Sequence, residues 1–209
     1  VSEMRGLTPF VGRRKELDHL IDCYEQAKKG QGQVVGITGE PGVGKSRLLL
    51  QLRSLLPQGE YSYLEGECLH YGEAMAYLPI IHILRSYFGI EEGEAELLSR
   101  NKLKQKISQL DERLTGILPP LQDILSLNVQ DESYVRLDPQ RKKERTFEAI
   151  RSLFFRESQA KPLILVVEDL HWIDRTSEEF LDYLIGFLPN TRILLLLLYR
   201  PEYTHQWGS

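Results

Sequence analysis

The segment from Gly39 to Ser46 constrains the fold of this chain more than any other stretch, because it reads GEPGVGKS and fills every fixed position of the pattern G-x-x-x-x-G-K-[ST]. In that pattern, glycines let the backbone curl so that successive N–H groups point at one phosphate. An apolar run at Gln33–Thr38 precedes the segment, and a leucine-rich helix is predicted from Ser46 to Leu56 after it. A strand, a glycine-rich turn and a helix N-terminus in this order predict a phosphate-binding loop rather than a turn without a ligand.

The residues of this loop have different predicted tasks in holding a nucleoside triphosphate and Mg²⁺. Lys45 would place its charge on the β- and γ-phosphates, and Ser46 would offer its hydroxyl to the metal. A dinucleotide-binding fingerprint is excluded, because Arg47 stands where that pattern needs a third glycine. The remaining predicted contacts come from the loop and the first turn of the helix: Glu40, Pro41, Gly42, Val43, Gly44 and Arg47.

Two acidic residues follow the most apolar strand predicted in the chain, Leu163 to Val167. A nucleotide-bound metal needs a carboxylate at the carboxyl end of a neighbouring parallel strand, and Glu168 and Asp169 occupy that place. We predict that Glu168 holds Mg²⁺ and that Asp169 orients or deprotonates the attacking water. Many P-loop ATPases have Asp first and Glu second, so the reversed order predicts slow hydrolysis. The alternative is an acidic strand end without a catalytic role.

Arg200 comes shortly after a fourth predicted strand, Ile193 to Leu198. The carboxyl ends of parallel strands meet at one edge of a sheet, so this arginine is expected near the phosphate-binding loop. There it would sense or stabilise the γ-phosphate. The alternative is a surface arginine that ends the strand. His171 and Trp172, beside the two acids, are predicted to pack rather than to catalyse.

Composition narrows the class of protein. The net charge of −4 argues against a general nucleic-acid-binding surface, which usually has a basic excess. Cys23 and Cys68 form neither a CxxC pair nor a zinc-binding spacing, which favours two reduced thiols. No apolar run reaches the roughly 18 residues that span a bilayer. We therefore expect a cytoplasmic protein whose contacts from this region include neither a membrane nor nucleic acid.

Strands and helices alternate along the chain. Besides the elements above, the pattern of apolar residues predicts a helix at 13–29, a strand at 61–65 and further helices at 79–88, 94–110 and 140–158. This alternation predicts an α/β fold with a mostly parallel sheet flanked by helices, and with a helical insertion between strands 2 and 3.

Three local features between residues 94 and 179 allow more detailed predictions. Prolines between 115 and 139 predict a broken, loop-rich connection. Thr176 is predicted to open a helix through a capping box, since acidic residues follow it at the required spacing. In the charged helix at 94–110, five side chains are predicted to face inward: Leu97, Leu98, Leu103, Ile107 and Leu110.

Three sequence boxes in order now point to a known family. They are the segment Phe10-Val11-Gly12-Arg13, the acidic box Glu168-Asp169-Leu170-His171-Trp172-Ile173-Asp174, and Tyr199-Arg200-Pro201-Glu202. Over about residues 7–209, the chain resembles the signal-transduction ATPases with numerous domains, an AAA-like group of P-loop NTPases. The form it resembles most is attached to bacterial class III adenylate or guanylate cyclases and to large transcriptional regulators.

This resemblance implies a three-layer fold of the AAA/ASCE type, with a further strand between the strand of the phosphate loop and the strand of the acidic box. It implies that Val11, Gly12 and Arg13 lie near the adenine of ATP or ADP. It also implies a regulatory switch between ATP and ADP with Mg²⁺ as cofactor. Two alternatives remain open: an ATP-driven enzyme with a substrate site within 66–160, and a nucleotide-binding scaffold with little turnover.

The resemblance also implies an organisation beyond the nucleotide site. Residues 1–9 are expected to be a linker from an upstream domain, and residues 10–209 an ATPase domain that stops before its last core strand and helical lid. A cyclase or other effector domain and a helical repeat domain are expected in the same polypeptide. Self-association that depends on the nucleotide is a further expectation.

Overall fold

Four parallel strands form the sheet of this protein. The computed structural model describes residues 12–72 and 75–204. Within these residues the strands stand in the order β1-β4-β3-β2. Their bounds are Gln33–Thr38 for β1, Ser62–Glu67 for β2, Leu163–Glu168 for β3 and Ile193–Tyr199 for β4. The parallel sheet is therefore confirmed, and β4 is the strand expected between the strands of the loop and the acidic box.

The two central strands, β3 and β4, are almost continuous runs of Leu, Ile and Val, and every residue but the last of each is buried. Such runs are typical of parallel strands covered by helices on both faces. The register places Thr38 beside Tyr199 and Glu67 beside Glu168. The strands therefore end together, and the loops that follow β1, β3 and β4 meet at one rim of the sheet.

Helices cover both faces of this sheet. On one face, α1 and α2 pack against β1, β3 and β4; on the other, helices of the β2–β3 connection and α8 pack against β2, β3 and β4. This arrangement confirms the three layers. The helix bounds are Arg14–Lys28 (α1), Lys45–Leu55 (α2), Leu78–Phe88 (α3), Glu96–Leu110 (α4), Leu118–Ile124 (α5), Glu132–Val135 (α6), Pro139–Ala160 (α7) and Arg175–Ile185 (α8).

The helical insertion between β2 and β3 contains α3 to α7 and is also confirmed. Its first helix lies unusually close to the sheet. A Cβ built at Gly66 of β2 would stand 2.3 Å from the backbone oxygen of Pro79 and 2.9 Å from Cγ1 of Ile83. Only a residue without a side chain allows α3 to cross β2 at this distance.

The connection at 115–139 is broken as predicted, but it contains more helix than a loop-rich segment would. A 3₁₀ turn at Glu112–Ile117 leads directly into α5, and α6 follows. The prolines do not break these helices, because they stand in the first turns of α5 and α7, where no intrahelical N–H donor is needed.

Two other local predictions fail. Helix α8 begins at Arg175 with Asp174 as its cap, and Thr176 lies inside the first turn. The carboxylate of Asp174 accepts hydrogen bonds from the backbone N–H of Ser177 at 2.9 Å and of Tyr77 at 3.2 Å. The buried carboxylate of Asp174 therefore binds two segments of the chain and caps α8, in place of the predicted capping box at Thr176.

In α4, Leu103 and Ile107 are buried as predicted, whereas Leu97 and Leu98 are 71% and 49% exposed. The helix begins only at Glu96, so both exposed leucines stand in its first turn, away from the buried stripe. Among the described residues, no helix is long and apolar enough to cross a membrane.

Candidate functional site

The turn between β1 and α2 adopts the conformation that its glycines permit. Gly42 and Gly44 have φ angles of 77° and 87°, in the left-handed region that other residues rarely adopt. Gly44 is the N-cap of α2. At Gly39, an added Cβ would stand 2.8 Å from Cγ2 of Val43, so the turn also closes on itself. It leads from the end of β1 to a helix terminus whose first N–H groups have no partner within the helix.

Lys45, the first residue of α2, lies across this turn. Its Nζ donates hydrogen bonds to the backbone oxygens of Gly39 at 2.6 Å and of Glu40 at 3.2 Å. A cation at the positive end of a helix is unfavourable unless an anion binds there as well. The placement of this ammonium group therefore fits a bound phosphate.

Ser46 and Glu168 meet across the rim of the sheet. The Ser46 hydroxyl donates a hydrogen bond of 2.9 Å to Oε2 of Glu168, the last residue of β3. Burial raises the pKa of Glu168 to about 7; the bond from Ser46 acts in the opposite direction, and the nearby carboxylates of Glu65 and Asp169 add to the rise. A hydroxyl and a carboxylate oxygen side by side are ligands that Mg²⁺ prefers, so the pair fits this ion.

Asp169 follows Glu168 at the end of β3. Its φ of 54° and ψ of 40° turn the chain sharply into a 3₁₀ turn at Leu170–Trp172. Although Asp169 stands at the N-cap of that turn, its side chain makes no capping hydrogen bond. The carboxylate of Asp169 therefore does not cap the start of this turn.

Arg200 lies directly after β4. Its Cζ is 5.1 Å from the centre of the Trp172 ring, and its Nη1 is 3.9 Å from Oε1 of Glu202. A guanidinium group over the face of a tryptophan is attracted by the electron-rich ring. The acidic box and the arginine that follows β4 thus touch each other.

One cleft of about 340 Å³ gathers most of the residues that the sequence singled out. The residues that line it are Pro41, Gly42, Gly44, Lys45, Ser46, Arg47, Glu168, Asp169, Leu198 and Arg200. Glu40 and Val43 belong to the same turn but do not line the cleft. Gly12 and Arg13 precede α1 and do not line it either, and Val11 lies outside the described residues.

Comparison with known proteins agrees with this geometry. The family model described as an AAA ATPase domain matches residues 9–197. The chain belongs to the AAA ATPase domain family. A curated relative, an uncharacterized protein of Rhizobium meliloti (strain 1021), is 26% identical over 207 residues, which cover 95% of this chain. The chain spans 19% of the length of that relative.

Membership of the AAA family confirms the coarser part of the resemblance, namely a P-loop NTPase module of AAA type that binds nucleotide. In the described residues of this AAA domain, no group of three or more His, Cys, Asp or Glu side chains is arranged to hold a metal ion. A bound Mg²⁺ would therefore rely on Ser46 and Glu168 together with oxygens of the nucleotide and water.

His171 of the AAA domain packs beside the cleft. Its ring centre is 4.4 Å from that of Trp172, and its side chain is 7% exposed. Burial lowers the pKa of His171, and the positive charges of Arg200 and Lys45 lower it further against the opposite effect of Asp169. The lowered pKa favours the neutral form of the imidazole.

Sequence reasoning missed Glu65. This residue of β2 is paired in register with Val166, and its carboxylate contributes to the raised pKa of Glu168. The alternation in β2 places Glu65 on the same face as Tyr63 and Glu67. That alternation could have identified Glu65, but only once β2 was known to lie beside the acidic strand.

Proposed function

We propose that this domain binds Mg²⁺-ATP in the cleft and hydrolyses it slowly, so that the ATP and ADP forms act as two states of a regulatory switch. The observation that carries the proposal is the hydrogen bond between Ser46 and Glu168, formed in the same cleft that holds Lys45. A phosphate loop alone would support anion binding. The carboxylate opposite it adds the second half of a Mg²⁺-nucleotide site.

The residues of the cleft have separate tasks in this proposal. Lys45 and the start of α2 bind the β- and γ-phosphates, while Ser46 and Glu168 hold Mg²⁺, which when bound neutralises charge on the phosphates. Asp169 orients the attacking water and accepts its proton. Arg200 stabilises the γ-phosphate and distinguishes ATP from ADP.

Slow hydrolysis follows from the order of the two acids. The longer carboxylate, Glu168, is engaged by Ser46, which leaves the shorter Asp169 to reach the water. Asp169 reaches about one methylene less far than a glutamate would. A base held too far from its proton lowers the rate without weakening nucleotide binding.

We further propose that the domain works within a larger cytoplasmic signalling protein. The relative supports this, because a region similar to the chain occupies 19% of its length. In the proposal, residues 1–9 link an upstream cyclase or other effector to an ATPase domain at 10–209, and a helical repeat domain follows. Val11, Gly12 and Arg13 contact the adenine, and the nucleotide controls self-association.

Calorimetric titration with Mg²⁺-ATP tests the proposal. Lys45→Ala is expected to lower the affinity by on the order of 100-fold or more, because it removes the ammonium group that binds the phosphates. Lys15→Ala, on the exposed side of α1, is the matched control and is expected to bind like the wild type. Equal affinity in the two variants would contradict the site.

Phosphate release from Mg²⁺-ATP then distinguishes the switch from its main alternative. Turnover that is lost in Asp169→Asn while binding is kept would support slow hydrolysis at this cleft. Tight binding without any turnover in the wild type would instead identify a nucleotide-binding scaffold.

A further inference from the structure

The imidazole of His171 lacks hydrogen-bond partners although it is almost completely enclosed. Its side chain is 7% exposed, and within residues 12–72 and 75–204 neither Nδ1 nor Nε2 is hydrogen-bonded. A buried polar group without a partner costs free energy. Packing against Trp172 explains why a ring is present, but not why the ring carries two polar nitrogens.

The nearest partner for this ring is the carboxylate of Asp169. The distance from Nδ1 of His171 to Oδ1 of Asp169 is 4.0 Å, about one ångström beyond a hydrogen bond. Asp169 lines the cleft, and its carboxylate is not used to cap the following turn. A hydrogen bond between the two groups therefore requires them to approach by about one ångström.

The protonation state suits a donor at Nδ1. Burial lowers the pKa of His171, and of the charges that face it, those of Arg200 and Lys45 lower it further while those of Asp169 and Glu202 raise it. A neutral imidazole carries one N–H. With that N–H at Nδ1, the ring donates to one carboxylate oxygen of Asp169 and leaves the second oxygen able to accept a hydrogen bond from water.

We propose that His171 is the positioning residue for Asp169: when nucleotide occupies the cleft, Nδ1–H of His171 donates a hydrogen bond to Oδ1 and holds the other carboxylate oxygen towards the attacking water. This inference rests on the proposed function, in which Asp169 is the base. His171 does not touch the nucleotide; it fixes the orientation of a short carboxylate that would otherwise turn freely at the mouth of the cleft.

Nitrogen NMR of the histidine rings tests the hydrogen bond directly. The chain has five histidines, and the His171 signals are assigned by their absence from the spectrum of His171→Asn. With Mg²⁺ and the β,γ-imido analogue of ATP, we expect the Nδ1-protonated tautomer in the wild type. In Asp169→Ala, which removes the acceptor, we expect this tautomer to be lost.

The possible results separate the two proposals. If the analogue binds and His171 has its proton on Nε2, or if its spectrum is the same in Asp169→Ala, the positioning role is overturned and the nucleotide site stands. If calorimetry on the same sample shows that the analogue does not bind, the proposed function fails and this inference fails with it.

Kinetics provide the second test. His171→Leu keeps the packing volume but has no donor, and we expect kcat to fall by on the order of 10-fold or more with a much smaller change in KM. His171→Asn places an amide N–H near the position of Nδ1, and we expect it to retain most of the rate. The double variant His171→Leu/Asp169→Ala is expected to be no slower than Asp169→Ala alone.

A merely structural role predicts a different pattern. In that case Leu and Asn at position 171 would lower kcat to the same degree, and the effects of His171→Leu and Asp169→Ala would multiply. Either result overturns the proposal. Thermal unfolding of each variant shows whether a lost rate reflects a lost fold.

Discussion

The hydroxyl of Ser46 donates a hydrogen bond of 2.9 Å to Oε2 of Glu168, although 122 positions separate the two residues in sequence. Because β4 lies between β1 and β3, this bond passes over the end of β4 and ties the first turn of α2 to the acidic strand. The two proposed Mg²⁺ ligands are therefore in contact at the rim of the sheet.

Removal of the Ser46 hydroxyl tests its role as a metal ligand. In Ser46→Ala we expect the gain in ATP affinity that Mg²⁺ provides to fall by on the order of 10-fold, because one ligand oxygen is lost. ATP affinity measured in EDTA should change little. Ser54→Ala is the control: it lies in the same helix, but its exposed hydroxyl donates to the backbone oxygen of Gln51. An equal loss in both variants would point to a general effect on α2.

The raised pKa of Glu168 predicts a pH-dependent effect of Glu168→Gln on stability. Between the ordinary carboxyl value of 4.5 and the folded value of about 7, the folded state binds more protons than the unfolded state. Stability contributed by this group is therefore present at low pH and is lost as the pH rises through 7. We expect Glu168→Gln to raise the melting temperature of the nucleotide-free protein more at pH 8.5 than at pH 5.5.

Differential scanning fluorimetry without Mg²⁺ measures this difference. Glu92→Gln, at an exposed position before α4, controls for the loss of one charge and should show the same small effect at both pH values. If the gain from Glu168→Gln were larger at pH 5.5, the sign of the pKa change would be wrong.

The close crossing of α3 over β2 predicts that Gly66→Ala destabilises the fold. The new methyl group would stand 2.3 Å from the backbone oxygen of Pro79, which cannot rotate away. Overpacking of this kind costs about 1–3 kcal/mol. Gly116→Ala is the matched control, because a Cβ there meets nothing within 4 Å. Urea denaturation should show a lower midpoint for Gly66→Ala than for Gly116→Ala.

Asp174 caps α8 and is buried, whereas Asp138 caps α7 and is exposed; the Asp138 carboxylate accepts a hydrogen bond of 3.0 Å from the backbone N–H of Arg141. Loss of the exposed cap in Asp138→Ala should cost about 1 kcal/mol. Asp174→Ala should cost about 1–3 kcal/mol more, because it also leaves the N–H of Tyr77 and the hydroxyl of Ser177 without their acceptor. Chemical denaturation of the two variants compares them directly, and equal losses would mean that the buried contacts contribute little.

Arg200 is expected to set the preference for ATP over ADP. In Arg200→Ala the affinity for Mg²⁺-ATP should fall by on the order of 10-fold or more, while that for Mg²⁺-ADP changes less, because only ATP has a γ-phosphate. Arg145→Ala, on the exposed surface of α7, is the control. Parallel losses for both nucleotides would assign Arg200 to the shape of the cleft instead.

The parts of the fold that sequence predicts well are those fixed by local patterns. Strands β3 and β4 are unbroken apolar runs. The conformation of the loop from Gly39 to Ser46 is determined by its glycines, two of which have positive φ angles. Parallel strands that end at one rim then bring Lys45, Glu168 and Arg200 into one cleft without further information.

The features that sequence reasoning missed or predicted wrongly depend on how the elements pack in the fold. Asp174 rather than Thr176 caps α8, and its carboxylate also accepts a hydrogen bond from the N–H of Tyr77, a contact that no local pattern shows. Glu65 reaches the site only because β2 pairs with β3. Leu97 and Leu98 are exposed because the start of α4 lies outside the packed stripe of its own helix.

The position of β4 has a consequence for how the protein is made. It is the last in sequence of the four strands that the structure describes, yet within this sheet it lies between β1 and β3 and pairs with both. While a ribosome is producing residues 169–192, the half of the cleft that carries Lys45 and the half that carries Glu168 are not yet joined in one sheet. A nucleotide that contacts both halves of the cleft can therefore assist folding only after β4 has been translated and inserted into the sheet. Closure of the sheet is thus a late, long-range step.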